Sequence, residues 1–328
     1  MSPNPAFRCA TAARVRADPM TGTAPPARRW LLLEHPGPWP VDAVAGSGID
    51  PTVLEAVRAA AARQQVRILL IRRPGRRDPD ATRRWFVTGV DLATITGEWT
   101  ADADLLAALP AIAAPNPSSL EPPAGPPGPA GSAAAAVSMI LVCTHGVHDT
   151  CCAIRGRPVA AALAARWPDQ VWECSHVGGD RFAPNVVVLP DGFYYGALDP
   201  ASAVDTVAQH LSGSVPTAAL RGMARYPPPV QAAVIAAYSR SGPLGIHEVS
   251  VLAVRQEGPH DGHGSETFVD LQVGAERVRV AVLSVRRPEH QLTCRAIRAT
   301  PATEYRVEAL SPLPPPPGRD PSTTTLGS

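Results

Sequence analysis

The chain alternates short apolar runs with polar, turn-rich connections. Trp30 to Glu34 (WLLLE) is an apolar run closed by the turn residues HPGP, and it predicts a buried strand. Pro51 to Arg63 (PTVLEAVRAAAAR) predicts a helix, with Asp50 placed to cap it and Pro51 in its first position. Val66 to Arg72 and Arg84 to Thr88 predict two further strands, so residues 28–112 read as a small N-terminal α/β module. A second unit opens with a buried strand over Ser138 to Val142. A helix over Gly156 to Arg166 and a strand over Val171 to Ser175 follow. Asn185 to Leu189 and Phe193 to Gly196 then form a hairpin across Pro190-Asp191-Gly192, and a helix over Ala201 to Leu211 closes the unit. This β-α-β-β-β-α order gives residues 137–212 a thioredoxin-like layout. A third region, 213–310, predicts a helix over Val230 to Ser239 and strands over His247 to Arg255, Glu266 to Val273 and Arg277 to Val285, with Thr293 to Ile297 as a fourth. It reads as an α+β module with a small antiparallel sheet.

Between these patterned stretches the composition changes. Residues 113–136 are almost all Ala, Pro, Gly and Ser, which cannot bury a core and read as a linker. Residues 1–27, with five prolines and scattered Arg, read as a disordered tail, as do the proline-rich residues 311–328. Gly and Pro together make up about a fifth of the 328 residues, below the range of a wholly disordered chain. Hydrophobic residues reach 45% but aromatics only 5%, so the cores are rich in Ala, Val and Leu.

The net charge is +1, from 30 basic and 29 acidic residues, which argues against a nucleic-acid or anionic-membrane binder. Every basic residue is Arg, so lysine bases, Schiff bases and a P-loop lysine are excluded. The longest apolar stretch, Ala133 to Cys143, is interrupted at Ser138 and falls short of the ~20 residues a membrane span needs. The first residues lack the apolar core of a signal peptide, and the expectation is a cytoplasmic protein.

Six cysteines occur, at positions 9, 143, 151, 152, 174 and 294, and in a cytoplasm they are reduced or ligate metal. Four lie between Cys143 and Cys174. The segment CTHGVHDTCC follows the SMILV strand, and CSHVGGDRF follows VWE. Loops after strand ends are where a rigid sheet presents functional groups, and two such loops can converge on one ion or cluster. Gly178 and Gly179 permit positive φ between His176 and Asp180, and their amides are placed to tune a cluster. Cys9 and Cys294 read as small buried hydrophobes, and Cys174 as a core residue of its strand. His145 and His148 read as loop-stabilising groups rather than ligands, Asp149 as a cap of the loop, and His35, His210 and His247 carry no role. Thioredoxin-type exchange needs Cys-x-x-Cys, but the residue three after Cys143 is Gly146. No paired carboxylates support glycoside hydrolysis.

The segments CTHGVHDTCCAIRGRPVAAAL, VWECSHVGGDRFAPNVVVLPDGFYYG, YPPPVQAA and HQLTCRA resemble the sucrase/ferredoxin-like family, over roughly Trp30 to Pro301. The resemblance implies a thioredoxin-like [2Fe-2S] ferredoxin domain, with the N-terminal α/β module before it and the α+β module after it. Cluster ligands in such proteins are two cysteines and the two histidines of an HxGGH motif. By position these are Cys143, Cys152 and His176, while Asp180 stands where the second histidine would be. Three arrangements follow: a cluster held by two Cys, one His and Asp180; a cluster recruiting Cys151 or Cys174; or a degenerate site. The expected function is one-electron transfer or redox sensing with a redox partner protein, without an enzymatic substrate of its own. The rivals are a structural zinc module on the same ligands and a metal-free thioredoxin-like interaction protein.

Overall fold

The computed structural model describes residues 6–75, 82–114, 138–242, 244–258 and 264–314. In chain order the elements are α1 (Cys9–Val15), β1 (Arg29–Glu34), α2 (Pro51–Arg63), β2 (Val66–Arg72), β3 (Arg83–Gly89), β4 (Leu92–Trp99), α3 (Leu109–Ile112), β5 (Met139–Cys143), α4 (Thr150–Arg166), β6 (Val171–Cys174), β7 (Asn185–Leu189), β8 (Phe193–Gly196), α5 (Pro200–Leu211), β9 (Leu220–Met223), α6 (Pro228–Ser241), β10 (Val249–Glu257), β11 (Glu266–Val273), β12 (Glu276–Arg286) and β13 (Thr303–Pro312). Short 3-10 turns lie at Asp102–Ala108 and Asp180–Phe182.

Nine strands form one sheet in the order β4-β3-β1-β2-β6-β5-β7-β8-β9. From its middle, each side repeats one layout. β1 and β2 are parallel and joined by α2, β1 pairs antiparallel with β3, and β3 pairs antiparallel with β4. In the same way β5 and β6 are parallel and joined by α4, β5 pairs antiparallel with β7, and β7 with β8. The fold is α/β, and the thioredoxin-like connectivity read from residues 137–212 occurs twice. The two units thus share one sheet, where the sequence reads as two separate modules. They meet edge to edge where β2 pairs antiparallel with β6, Ile71 opposite Cys174 and Arg72 opposite Glu173.

Alternation along the buried strands fixes the layers. Leu31 and Leu33 pack with Val53, Leu54 and Val57 of α2, and Ile140 and Val142 pack with Val159 and Leu163 of α4. The opposite face, with Trp30, Leu32, Leu141 and Val187, carries all six cysteines. α6 lies between the large sheet and a four-stranded antiparallel sheet, β10-β11-β12-β13.

Several expectations need correction. The N-terminal stretch is a covering layer rather than a disordered tail: Cys9 and Ala10 are fully buried, and Ala24 almost so. Small apolar side chains pack this close to a sheet, and their spacing is hidden by the surrounding prolines. Thr293 to Ile297 is a turn around buried Cys294, and the fourth strand of the small sheet is β13, a half-exposed edge strand that runs into the expected C-terminal tail. α4 starts at Thr150 instead of Gly156 and keeps Pro158 inside it. Of the expected linker over 113–136 and tail over 311–328, residues 115–136 and 315–328 lie outside the described residues, as do residues 1–5.

The junction of the two halves is short, and polar groups reinforce it. Arg72 Nε contacts Glu173 Oε2 at 2.7 Å, with both side chains 9% exposed. Thr144 Oγ1 donates to the same carboxylate at 3.1 Å, and the Arg72 guanidinium lies 4.0 Å above the Trp39 ring. Ser175 N donates to the Leu70 carbonyl at 2.8 Å, and Leu70 N donates to Ser175 Oγ at 3.0 Å. Removing one member of a buried ion pair strands its partner's charge at a cost of about 3–5 kcal/mol. Arg72→Met and Glu173→Leu are each expected to cost about 3 kcal/mol in urea unfolding. The double variant should cost clearly less than the two singles together, because no charge is stranded.

At the far side of the second unit, Tyr195 Oη contacts His210 Nδ1 at 2.9 Å, and His210 Nε2 contacts Asp191 Oδ2 at 3.2 Å. Burial pushes the Asp191 carboxyl up, but the His210 contact and charge outweigh it and hold its pKa below the usual value. A lowered folded pKa means that the stabilisation is full above the unfolded value of about 3.9 and is lost as pH falls through the folded one. The melting temperature should therefore drop on the acid side of pH 4, and Asp191→Asn should flatten that limb.

Candidate metal centre

The centre is built on the start of α4. Asp149 caps the helix by accepting from Cys151 N at 2.9 Å, which fixes Thr150 as the first helical residue. A Cβ at Gly156 would collide with the Cys143 carbonyl oxygen, so glycine there lets α4 press against the end of β5. That approach brings Cys152 onto Cys143, whose pKa is pulled down by the Cys152 S–H and pushed up less strongly by burial. Adjacent helical residues diverge by about 100°. Cys151 consequently points away from Cys152, toward Cys9 and Cys294.

The second wall is the loop after β6. Gly178 and Gly179 have φ of +89° and +78°, conformations open to glycine. A Cβ at Gly179 would meet the guanidinium of Arg221, which is fully buried and firmly held. Arg221 donates to the Gly178 carbonyl at 2.9 Å, to Asn185 Oδ1 at 2.7 Å and to the Thr23 carbonyl at 2.6 Å. Its burial lowers its pKa to about 10. Asn185 Nδ2 closes the loop by donating to the Gly179 carbonyl at 2.9 Å. This clamp turns Asp180 inward, where it is 3% exposed.

Asp180 is the meeting point. Cys152 Sγ donates to its Oδ1 at 3.2 Å. His176 Nδ1 lies 2.9 Å from the same oxygen but off the hydrogen-bond axis, so this buried nitrogen has no hydrogen-bond partner. His148 Nε2 is 3.8 Å from Oδ2, and its ring stacks on His176 at 3.8 Å between centroids. Burial pushes His176 down, but the adjacent Asp180 more than compensates and raises its pKa. Burial likewise pushes Asp180 up, and His176 reverses it, so the carboxyl is held below its usual range. The Cys152 thiol is raised by its contact with Cys143 and by burial.

Asp180 thus touches Cys152 and His176, Cys143 touches Cys152, and the donor atoms that lie within 4.8 Å of one another here are those of His148, His176 and Asp180. Cys174 lies beside Cys143 across the β5–β6 register, fully buried in the strand. Cys151 is turned away to a separate group. His145 is the loop-stabilising residue expected: its Nδ1 accepts from His176 N at 3.3 Å and its Nε2 meets the Pro40 carbonyl at 2.8 Å. His148 does more than stabilise the loop. Its Nδ1 is held by the Val41 carbonyl at 3.1 Å, leaving Nε2 aimed at Asp180. The signal for this in sequence, a His four residues before Cys152, is weak without the loop geometry. The rings of His145, His148 and His176 border an open cleft of about 300 Å³, whose apolar wall includes Val41, Val44 and Ile68.

Gly179→Ala is expected to cost about 2 kcal/mol or more in thermal unfolding, because it adds backbone strain and displaces Arg221. Gly48 has φ +81°, and nothing lies within 4 Å of where an alanine methyl would sit. Gly48→Ala is therefore the control and should cost about 1 kcal/mol.

Comparison with known proteins adds three findings. No curated protein matches the chain. Among solved structures, a variant of the thioredoxin-like [2Fe-2S] ferredoxin from Aquifex aeolicus aligns at 25% identity over 24% of this chain and 91% of its own, with a TM-score of 0.21. Residues 20–222 match the sucrase/ferredoxin-like family, a span that holds both halves of the large sheet and every residue of the centre, and the chain belongs to that family.

Proposed function

We propose that this chain holds a [2Fe-2S] cluster and serves one-electron transfer or redox sensing. The observation that supports the reading is a chain of buried contacts, Cys143 to Cys152, Cys152 to Asp180 and Asp180 to His176, that links β5, α4 and the loop after β6. Thiolate and imidazole are the donors such clusters take. The Nδ1 of His176, 2.9 Å from Asp180 but off the hydrogen-bond axis, fits a ligand atom. When bound, the cluster supplies the one-electron chemistry. Cys143, Cys152, His176 and Asp180 would hold it, and the covering layer around Cys9 keeps water from the thiol side. His176 and His148, 29% and 31% exposed, form the only partly open edge among these donors. A redox partner protein would approach there, over the cleft. No substrate of its own is assigned to the chain.

A cytoplasmic location fits six cysteines that are all free and buried. Among the described residues no helix is long and apolar enough to cross a membrane. One observation favours a single-ion reading: the donor atoms of His148, His176 and Asp180 lie within 4.8 Å of one another.

Anaerobic purification separates the readings. A red-brown protein with about two iron and two sulfide per chain is expected. Cys143→Ser and Cys152→Ser should each bleach it, while Cys174→Ser should not. Asp180→Ala should leave the cluster labile, and Asp180→His should retain it at a higher potential, because a neutral imidazole replaces a carboxylate that opposes reduction. An Asp180→Ala protein with unchanged spectrum and potential would pass the fourth position to His148. A colourless protein with one zinc, or one that takes up neither metal after reconstitution, overturns the proposal.

A further inference from the structure

On the other side of the α4 start lies a second group that the proposed centre does not use. Cys9 from α1, Cys151 from the first turn of α4, Cys294 from the 290–300 turn and Asp149 place one donor atom each within 4.8 Å of one another, and all four are buried. Cys151 Sγ is 3.5 Å from Cys294 Sγ, which is 3.6 Å from Cys9 Sγ. Cys9 Sγ is 3.5 Å from both oxygens of Asp149. These separations are too long for a disulfide, whose sulfurs lie about 2.05 Å apart. They match the edges of a tetrahedron around one ion. Metal–sulfur bonds of about 2.3 Å and metal–oxygen bonds of about 2.0 Å give edges near 3.8 Å between sulfurs and 3.5 Å from sulfur to oxygen.

We propose that Cys9, Cys151, Cys294 and Asp149 form a closed structural site for one borderline-soft divalent cation of the Zn(II) class. Charge points the same way. Asp149 is fully buried, and its partners are Cys151 N at 2.9 Å, Cys294 N at 2.6 Å and the Cys9 thiol. None of these is a cation. Each oxygen keeps a lone pair beyond the amide it accepts. Cys9 N donates to Cys294 Sγ at 3.4 Å, the kind of amide contact that supports a ligating thiolate. The carboxylate selects against a monovalent copper ion, which favours soft thiolate and thioether donors, and a set with no open position marks a structural rather than a catalytic site. Binding one M(II) releases up to three thiol protons to solvent and needs no oxidant.

Its consequence is mechanical. The three cysteines come from segments up to 285 residues apart. One ion would fasten the N-terminal layer and the C-terminal region to the helix start that also carries Cys152. The site does not depend on the cluster reading, since it shares no donor with it.

The test uses the full chain, reduced, stripped by chelator and titrated with Co(II) under argon. One equivalent is expected to bind with thiolate-to-cobalt charge-transfer bands in the Cys143→Ser/Cys152→Ser double variant, and at least one in wild type. Cys9→Ser and Cys294→Ser, added to that variant, should each weaken binding about tenfold or more. Bands that survive both of these changes, or that vanish in the Cys143→Ser/Cys152→Ser protein, overturn the proposal. Because Cys9→Ser can loosen the N-terminal layer by itself, a second measurement uses wild type only. Zn(II) should slow iodoacetamide labelling of Cys9, Cys151 and Cys294 and leave Cys174 unchanged, and labelling rates indifferent to Zn(II) overturn it. Iron and sulfide content reads the first centre separately.

Discussion

The carboxylate of Asp149 decides where α4 begins, and the rest of the candidate chemistry follows from that register. A helix starting at Thr150 puts Cys151 and Cys152 in its first turn, about 100° apart around the axis. One turns toward Cys143 and Asp180, the other toward Cys9 and Cys294. Had the helix begun at Gly156, as its glycine and proline suggest, both cysteines would sit in a loop with no reason to diverge. The vicinal pair would then read as two candidates for one position. In the structure they belong to two groups with opposite orientations, and a single cap separates them.

The doubled layout explains how the centre is covered. β1 and β5 occupy matching places in the two halves, yet β1 ends in Glu34 where β5 ends in Cys143. The first half has no cysteine between Arg29 and Ala114 and contributes support instead. Its carbonyls at Pro40 and Val41 orient His145 and His148, and its side chains form the apolar wall of the cleft. The halves hold together through one strand pair of two residue pairs, the buried Arg72–Glu173 contact and the shared apolar cluster of Trp30, Ile71, Leu141 and Trp172.

Much of the fold was legible because its elements are punctuated locally. α2 follows Asp50 and Pro51, and the hairpin of β7 and β8 turns at Asp191-Gly192, so their limits follow from the residues themselves. β4 and β9 were not legible: LATITGEW is half exposed at an edge, and LRGM contains a glycine and a buried Arg whose reason is Thr23, far away in sequence. The centre divides the same way. Cys143, Cys152, His176 and Asp180 stand in two dense segments, which singles them out as candidates, while the His148 that stands within reach of Asp180 and His176 is not marked by its spacing. Cys9 and Cys294 stand alone in sequence, and a lone buried cysteine is ordinarily a small hydrophobe. Only the sheet face they share shows that they meet Cys151.

The two buried carboxylates bring out what distinguishes the two groups. Asp180 is balanced: His176 touches it, His148 stands near, and the fixed positive charge of Arg221 lies within electrostatic reach. It can remain ionised at low exposure without a bound ion, as its lowered pKa reflects. Asp149 is equally buried but faces the Cys9 thiol and is held by backbone amides at a helix start, with Arg14 and Arg181 acting on the group from farther off. Amides suffice for one carboxylate. Around it the Cys151 contact and burial push the Cys9 thiol up, burial pushes the Cys294 thiol up, and the Cys9 contact pulls the Cys151 thiol down to about 6. Left without a cation, this second group holds a Cys151 thiol lowered to about 6 between two raised thiols and beside a buried carboxylate. With one, the same four donors become mutually compatible, and the closed geometry at Asp149 gains a physical reason that packing alone does not supply.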